Sequence, residues 1–137
     1  MNFVNGETAQ IGVLSKALDG LWMRNQVISD NVANVDTPGF KASKVAFEDV
    51  LKGALDDNAL KGKVTNIKHI PIGALSAKDV QPQVLQSQNT SMRMDGNNVD
   101  IDLEMADLAK TTIAYNAVIQ KMTKEFQMLR SAINGGK

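Results

Sequence analysis

Apolar side chains recur at 3-4-3-4 spacing along both ends of this 137-residue chain, and the middle carries no such pattern. Near the N-terminus the stripe runs Ile11, Leu14, Leu18, Leu21, Asn25, Ile28, Val32, Val35; near the C-terminus it runs Ile101, Met105, Leu108, Thr112, Tyr115, Ile119, Met122, Phe126, Leu129, Ile133. A period of about 3.5 residues is that of a coiled coil and leaves each helix one narrow apolar seam that must find a partner. The expected fold is therefore mainly α: two long terminal coiled-coil-type helices packed side by side, antiparallel or slightly crossed, joined by an extended loop-rich middle with room for short β segments. The seams are expected to be assembly surfaces.

Composition narrows the function classes. Fifteen Lys and Arg balance fifteen Asp and Glu, with the basic residues scattered, so no field draws the chain to nucleic acid or to an anionic membrane. There is no cysteine, which removes disulfides and thiolate metal sites. No run approaches the roughly 18 apolar residues that cross a bilayer, and the first residues lack the basic-then-apolar order of a cleavable signal peptide. If the protein leaves the cytoplasm it needs another route.

The chain divides into an N-terminal helix over residues 5–36, a turn and irregular middle over 37–99, and a C-terminal helix over 100–134, forming one unit. Asn5 or Thr8 is a candidate cap for the first helix, and Pro38 ends it. Pro38 and Gly39 of Asp36-Thr37-Pro38-Gly39 suit the second and third positions of a type II turn. Gly12 and Gly20 each cost about 1 kcal/mol inside the first helix, so it is expected to form by packing rather than alone. In the middle, Val45 to Leu55 is a short helical candidate, and apolar alternation at Val64 to Ile72 and Met92 to Met94 is compatible with brief strands. Gln83 to Asn98 reads as a polar tract. Asn134-Gly135-Gly136 supplies a C-cap.

Several polar residues invite chemical readings. Asp95, Asp100, Asp102, Glu104 and Asp107 do not match a calcium loop, because Asp100 stands where the sixth-position glycine is required; acidic residues at a helix start instead favour its positive end, with Asn97, Asn98 or Asp100 as caps. His69, the single histidine, has no nucleophile partner, and Asp56-Asp57 reads as a solvated turn, so no enzyme chemistry is expected. Asn25 and Thr112 interrupt the seams, where one polar core residue can fix register. Met105 and Met122 suit a seam whose neighbours are not identical, and Trp22 lies beside the seam, facing either a neighbour or a second layer of its own core.

The block from Ile28 to Lys41 contains Asn31, Asn34, Asp36, Thr37, Pro38, Gly39 and Phe40 in an order that resembles the signature of flagellar axial proteins. Asn31 and Asn34 lie one turn apart and can bond free carbonyls or the following turn, locking its geometry. Arg93-Met94-Asp95-Gly96-Asn97-Asn98-Val99-Asp100 through Met105 is similar to the segment leading into the C-terminal helix of the proximal-rod proteins, and His69-Ile70-Pro71 is similar to an element of one type within that group. The short chain does not match the hook and distal rod, whose subunits carry large inserted domains. The resemblance implies a structural subunit of the bacterial flagellar basal-body rod, located in the periplasmic space and exported uncleaved through the flagellar type III apparatus. It further implies contacts with other copies, other rod proteins, and the adaptor and membrane ring, without cofactor, metal, nucleic acid or direct lipid contact. A soluble coiled-coil adaptor or export chaperone is the competing class, and a sister proximal-rod protein is the nearest alternative within the family; a membrane-surface helix is disfavoured because neither helix has a basic polar face.

Overall fold

The computed structural model describes residues 3–47, 51–52, 80–87 and 93–135, with side chains of the first helix from Gln10 onward. Two long helices dominate it. Helix α1 spans Phe3–Ala33, 31 residues and about 46 Å at the usual rise. Two four-residue strands follow, β1 (Ser43–Ala46) and β2 (Gln83–Gln86), and then the 33-residue helix α2 (Ile101–Ile133). The helices pack on one another antiparallel: Asn31, near the end of α1, bonds Glu104 at the start of α2, while Asn25, further back, borders Leu108 and Thr112.

Helix α1 starts at Phe3, upstream of both Asn5 and Thr8, and closes two residues before Val35. Its last turn tightens: the amide of Asn34 reaches the carbonyls of both Asp30 and Asn31, and that of Val35 reaches Val32, so the chain leaves by i to i−3 bonds. Next comes the turn at Pro38. The Phe40 amide donates to the Thr37 carbonyl at 3.2 Å, with Pro38 second and Gly39 third at φ 73°, the positive value that a type II turn demands there.

The ribbon pairs Ser43 with Gln86, Lys44 with Leu85, Val45 with Val84 and Ala46 with Gln83, antiparallel. Its placement corrects two expectations. Val45 and Ala46 are strand rather than helix, although Leu51 donates a helical bond to the Phe47 carbonyl just beyond, and β2 lies at the start of the supposed polar tract. Arg93 and Met94 form a turn, closed by the Gly96 amide on the Arg93 carbonyl, not a strand. The 64–72 segment, His69 and Asp56-Asp57 lie outside the described residues.

The core is small and sits where α1 meets the ribbon and the segment before α2: Leu21, Val27, Ile28, Ala42, Phe47, Val80 and Val99 are buried. A methyl group built on Gly20 would overlap the Phe47 ring, so this glycine seats an aromatic side chain against the helix backbone. Helix α2 opens with Asp100 as N-cap, its carboxylate accepting from the amides of Asp102 and Leu103, and closes at Asn134 with Gly135 at φ 70°.

Candidate functional site

The two sequence blocks that carry the family resemblance meet in space and interlock. Just past the end of α1 three backbone carbonyls converge on one side chain about 60 residues away: Asn97 Nδ2 donates to the carbonyls of Asn34, Val35 and Thr37 at 2.9, 2.9 and 3.0 Å. Its Oδ1 accepts from the Val99 amide at 2.7 Å, and the residue has no exposed surface. Arg93 adds a bond from Nη1 to the Val35 carbonyl, the Gly39 amide donates to the Asp95 carbonyl, and Lys41 Nζ donates to the Gly96 carbonyl. The Ala42 amide closes the set on Asn98 Oδ1 at 2.7 Å. Turn and helix start are thus one hydrogen-bonded knot.

Asn31 forms a second clasp one turn earlier. Its Oδ1 accepts from the Ser43 amide at 2.9 Å while its Nδ2 donates to the Ser43 carbonyl at 2.8 Å, so the side-chain amide pairs with β1 as a neighbouring strand would. The same Nδ2 donates to Glu104 Oε1 at 3.0 Å, tying α1, β1 and α2 at one point. Burial raises the Glu104 carboxyl above its ordinary value, the Asn31 bond opposes this, Asp107 and Asp100 reinforce it, and Lys44 offsets part of it. Asn34 plays the lesser role: its Nδ2 returns to the Asp30 carbonyl and its Oδ1 accepts from Thr37 Oγ1. Asp36 and Pro38 are exposed, Asp36 standing 3.6 Å from Arg93, and Phe40 is half-buried.

The N-terminal stripe lies within the molecule. Leu21 and Ile28 are buried, and Ile11, Leu14, Leu18, Asn25, Val32 and Val35 are half-buried. The C-terminal stripe splits. Leu108, Tyr115, Met122 and Leu129 are half-buried, and the row completing their seam against α1 is Glu104, Thr111, Val118, Glu125, while Met105, Thr112, Ile119 and Phe126 of the stripe lie outside that contact. The helix is thus turned by one heptad row, about 40–50°, from an orientation that would centre the whole stripe on α1. Each polar member of the inward row is satisfied locally: Glu104 by Asn31, Thr111 by the Asp107 carbonyl, and Glu125 by Lys121 at 2.6 Å.

That rotation leaves a second apolar row uncovered. Met105, Ile119, Phe126 and Ile133 are 50, 39, 52 and 83% exposed, with Thr112 among them and Ile101 at 46% one row over. Beside its N-terminal half lies a groove of about 570 Å³ between the helices, lined by Trp22, Asn25, Gln26, Ser29, Asp30, Leu108 and Thr112. Trp22 is 54% exposed there. Reading the sequence alone missed the tertiary roles of Asn97, Asn98, Glu104 and Gly20. The one signal available was the paired appearance of both asparagine-rich blocks.

Among the described residues no His, Cys, Asp or Glu cluster has metal-binding geometry, and no helix is long and apolar enough to cross a membrane. The family described as "Flagella basal body rod protein" matches residues 24–41, the stretch from the last turns of α1 through the Pro38 turn. A flagellar basal body rod protein FlgB of Bacillus subtilis (strain 168) is 36% identical across 90% of this chain and 92% of its own length. FlgB of Borreliella burgdorferi is 37% identical over 82% of this chain and 86% of its own, and that of Yersinia enterocolitica 28% over 88% and 90%. These matches run through both helices and the junction between them, and they favour FlgB over the sister protein FlgC. The chain belongs to the FlgB family of flagellar basal body rod proteins.

Proposed function

We propose that the chain is a structural subunit of the proximal rod of the bacterial flagellar basal body, assembling through its terminal helices into the tubular shaft that carries torque outward. The observation that carries this reading is the uncovered row on α2. A self-contained adaptor or chaperone would turn its most apolar row inward, whereas here a row bearing two glutamates and a threonine faces α1 and the row with Met105, Ile119 and Phe126 faces out. Exposed apolar rows of that length mark interaction surfaces.

The geometry supports a division of labour. The seam of Ile11, Leu14, Leu18, Leu21 and Ile28 against Leu108, Tyr115 and Met122 makes each subunit a two-helix strut, and the outer row joins struts. Heterologous contacts that do not close propagate a helical array, in which torque is spread over many buried contacts. The neighbours in this reading are further copies, other rod proteins, and the adaptor and membrane ring beneath them. The chain reaches its place in the periplasmic space unfolded and uncleaved, through the flagellar type III apparatus, and its role is mechanical rather than catalytic. A deletion strain tests this. It should lack rods and be non-motile, and an epitope-tagged copy that restores swimming should co-purify with basal bodies. A motile deletion strain, or a tagged copy confined to the cytoplasm, contradicts the reading.

A further inference from the structure

The groove between the helices and the far end of α2 have complementary chemistry. At the junction end, Asp30 holds an exposed carboxylate with no ion pair among the described residues, and it lines the same groove as the exposed Trp22, Leu108 and Thr112. Asn25 lines the same groove, yet its Oδ1 is shut off from solvent without a donor. A buried acceptor left unpaired is costly in the free subunit. What this end lacks is an apolar side chain and a cationic donor one helical turn apart.

The other end of α2 presents that pair. Beyond Ile113 the charged residues of α2 are Lys121, Lys124, Glu125 and Arg130, and the acid among them is buried on Lys121, so the exposed charge there is entirely basic. The first turns of the same helix carry Asp100, Asp102, Glu104 and Asp107. Arg130 follows Phe126 by four residues, which places both on the outer side of the helix one turn apart. Its guanidinium makes no ion pair among the described residues.

We propose that the groove at Trp22, Leu108 and Asp30 is the seat for the C-terminal half of α2 from a second copy of this chain, with Phe126 of that copy against Trp22 and Leu108 and its Arg130 on the Asp30 carboxylate. The occupant is a second copy because both members of the pair lie on this chain, and because copies stacked head to tail bring the basic end of α2 onto the acidic junction end where Asp30 lies. The apolar row then runs on from one subunit to the next. The proposal rests on the rod reading and specifies which surfaces meet.

The chain has no cysteine, so introduced ones report without background. Gln26→Cys on the groove rim and Thr123→Cys beside Phe126 are expressed as separate copies in one deletion strain, and basal bodies are isolated and oxidised. A dimer of the two copies is expected on a non-reducing gel, and none when Met128→Cys, on the far side of α2, replaces Thr123→Cys. Asp30→Lys should abolish the dimer, and Asp30→Lys with Arg130→Asp in the same chain should restore it; circular dichroism of purified Asp30→Lys, changed at an exposed site, should match the parent. Chains present in basal bodies that give no Gln26–Thr123 dimer, that cross-link equally through Met128→Cys, or that are not rescued by the charge exchange overturn the proposed seat while leaving the rod reading intact. Absence of the unmodified chain from basal bodies overturns both.

Discussion

Replacing Asn97 by alanine should release the end of α1 from the start of α2. In the native chain one amide group, itself without solvent contact, serves three carbonyls at 2.9, 2.9 and 3.0 Å and accepts from the Val99 amide at 2.7 Å. In the variant each carbonyl keeps another donor, the Thr37 amide on Asn34, Arg93 on Val35 and the Phe40 amide on Thr37, so the loss is that of the bonds made by the two Nδ2 hydrogens, worth about 1 kcal/mol each. The Val99 amide is left buried without an acceptor, adding about 1–2 kcal/mol. The sum, roughly 3 kcal/mol, is a large fraction of the 5–15 kcal/mol that holds a typical domain together. Urea unfolding followed by circular dichroism measures it, with Asn116→Ala on the exposed face of α2 as the neutral comparison. Asn97→Asp should do at least as badly, because it places a carboxylate against three carbonyl oxygens. A loss below about 0.5 kcal/mol for Asn97→Ala would refute the claim that this side chain joins the two blocks.

The Glu104 carboxyl is raised by burial in the folded chain, so protonation favours folding: its contribution is greatest below the unfolded value and declines as pH rises through the folded one. Glu104→Gln keeps an oxygen for Asn31 Nδ2, and should leave stability at neutral pH equal or higher while flattening its fall between acid and neutral pH; an unchanged pH profile contradicts this. Gly39→Val forces a β-branched residue to φ 73° and should cost on the order of 1 kcal/mol or more through backbone strain alone, since no atom lies within 4 Å of the added Cβ; wild-type stability would mean that the turn relaxes freely. Gly20→Ala should destabilise despite a gain of about 1 kcal/mol in helix propensity, because the methyl displaces the Phe47 ring, and a rise in unfolding midpoint would refute that seating.

The two helices and the Pro38 turn were legible in the sequence because each is encoded locally, by period and by one proline and one glycine. Side-by-side packing followed from the seams. The facing of α2 did not: a stripe two rows wide states that both rows want cover, and does not say which is covered by α1 and which by another molecule. Nothing local in the sequence says that Glu104, Thr111 and Glu125 face inward, where Asn31, a backbone carbonyl and Lys121 satisfy them. Strand β2 was hidden because Gln83-Val84-Leu85-Gln86 is wholly exposed, so its pairing with β1 leaves no buried face for alternation to mark. The roles of Asn31 and Asn97 depend on partners 73 and about 60 residues distant, beyond any local rule.

The rotation of α2 changes which substitution isolates assembly. Leu108→Asp would place a charge in the seam with α1 and could unfold the strut itself, whereas Phe126 stands 52% exposed on the outer row. Phe126→Asp should therefore leave the helical content and urea midpoint of the purified chain close to the parent, while an unpaired carboxylate at each subunit contact abolishes the array. The decisive measurement is the distribution of that variant in a deletion strain, between culture medium, periplasm and basal bodies, scored with swimming. The account predicts a folded, exported variant absent from basal bodies in non-motile cells, with Lys110→Asp in basal bodies and motile. Phe126→Asp found in basal bodies of swimming cells would contradict it, because the outer row of α2 would then not be the face through which subunits join.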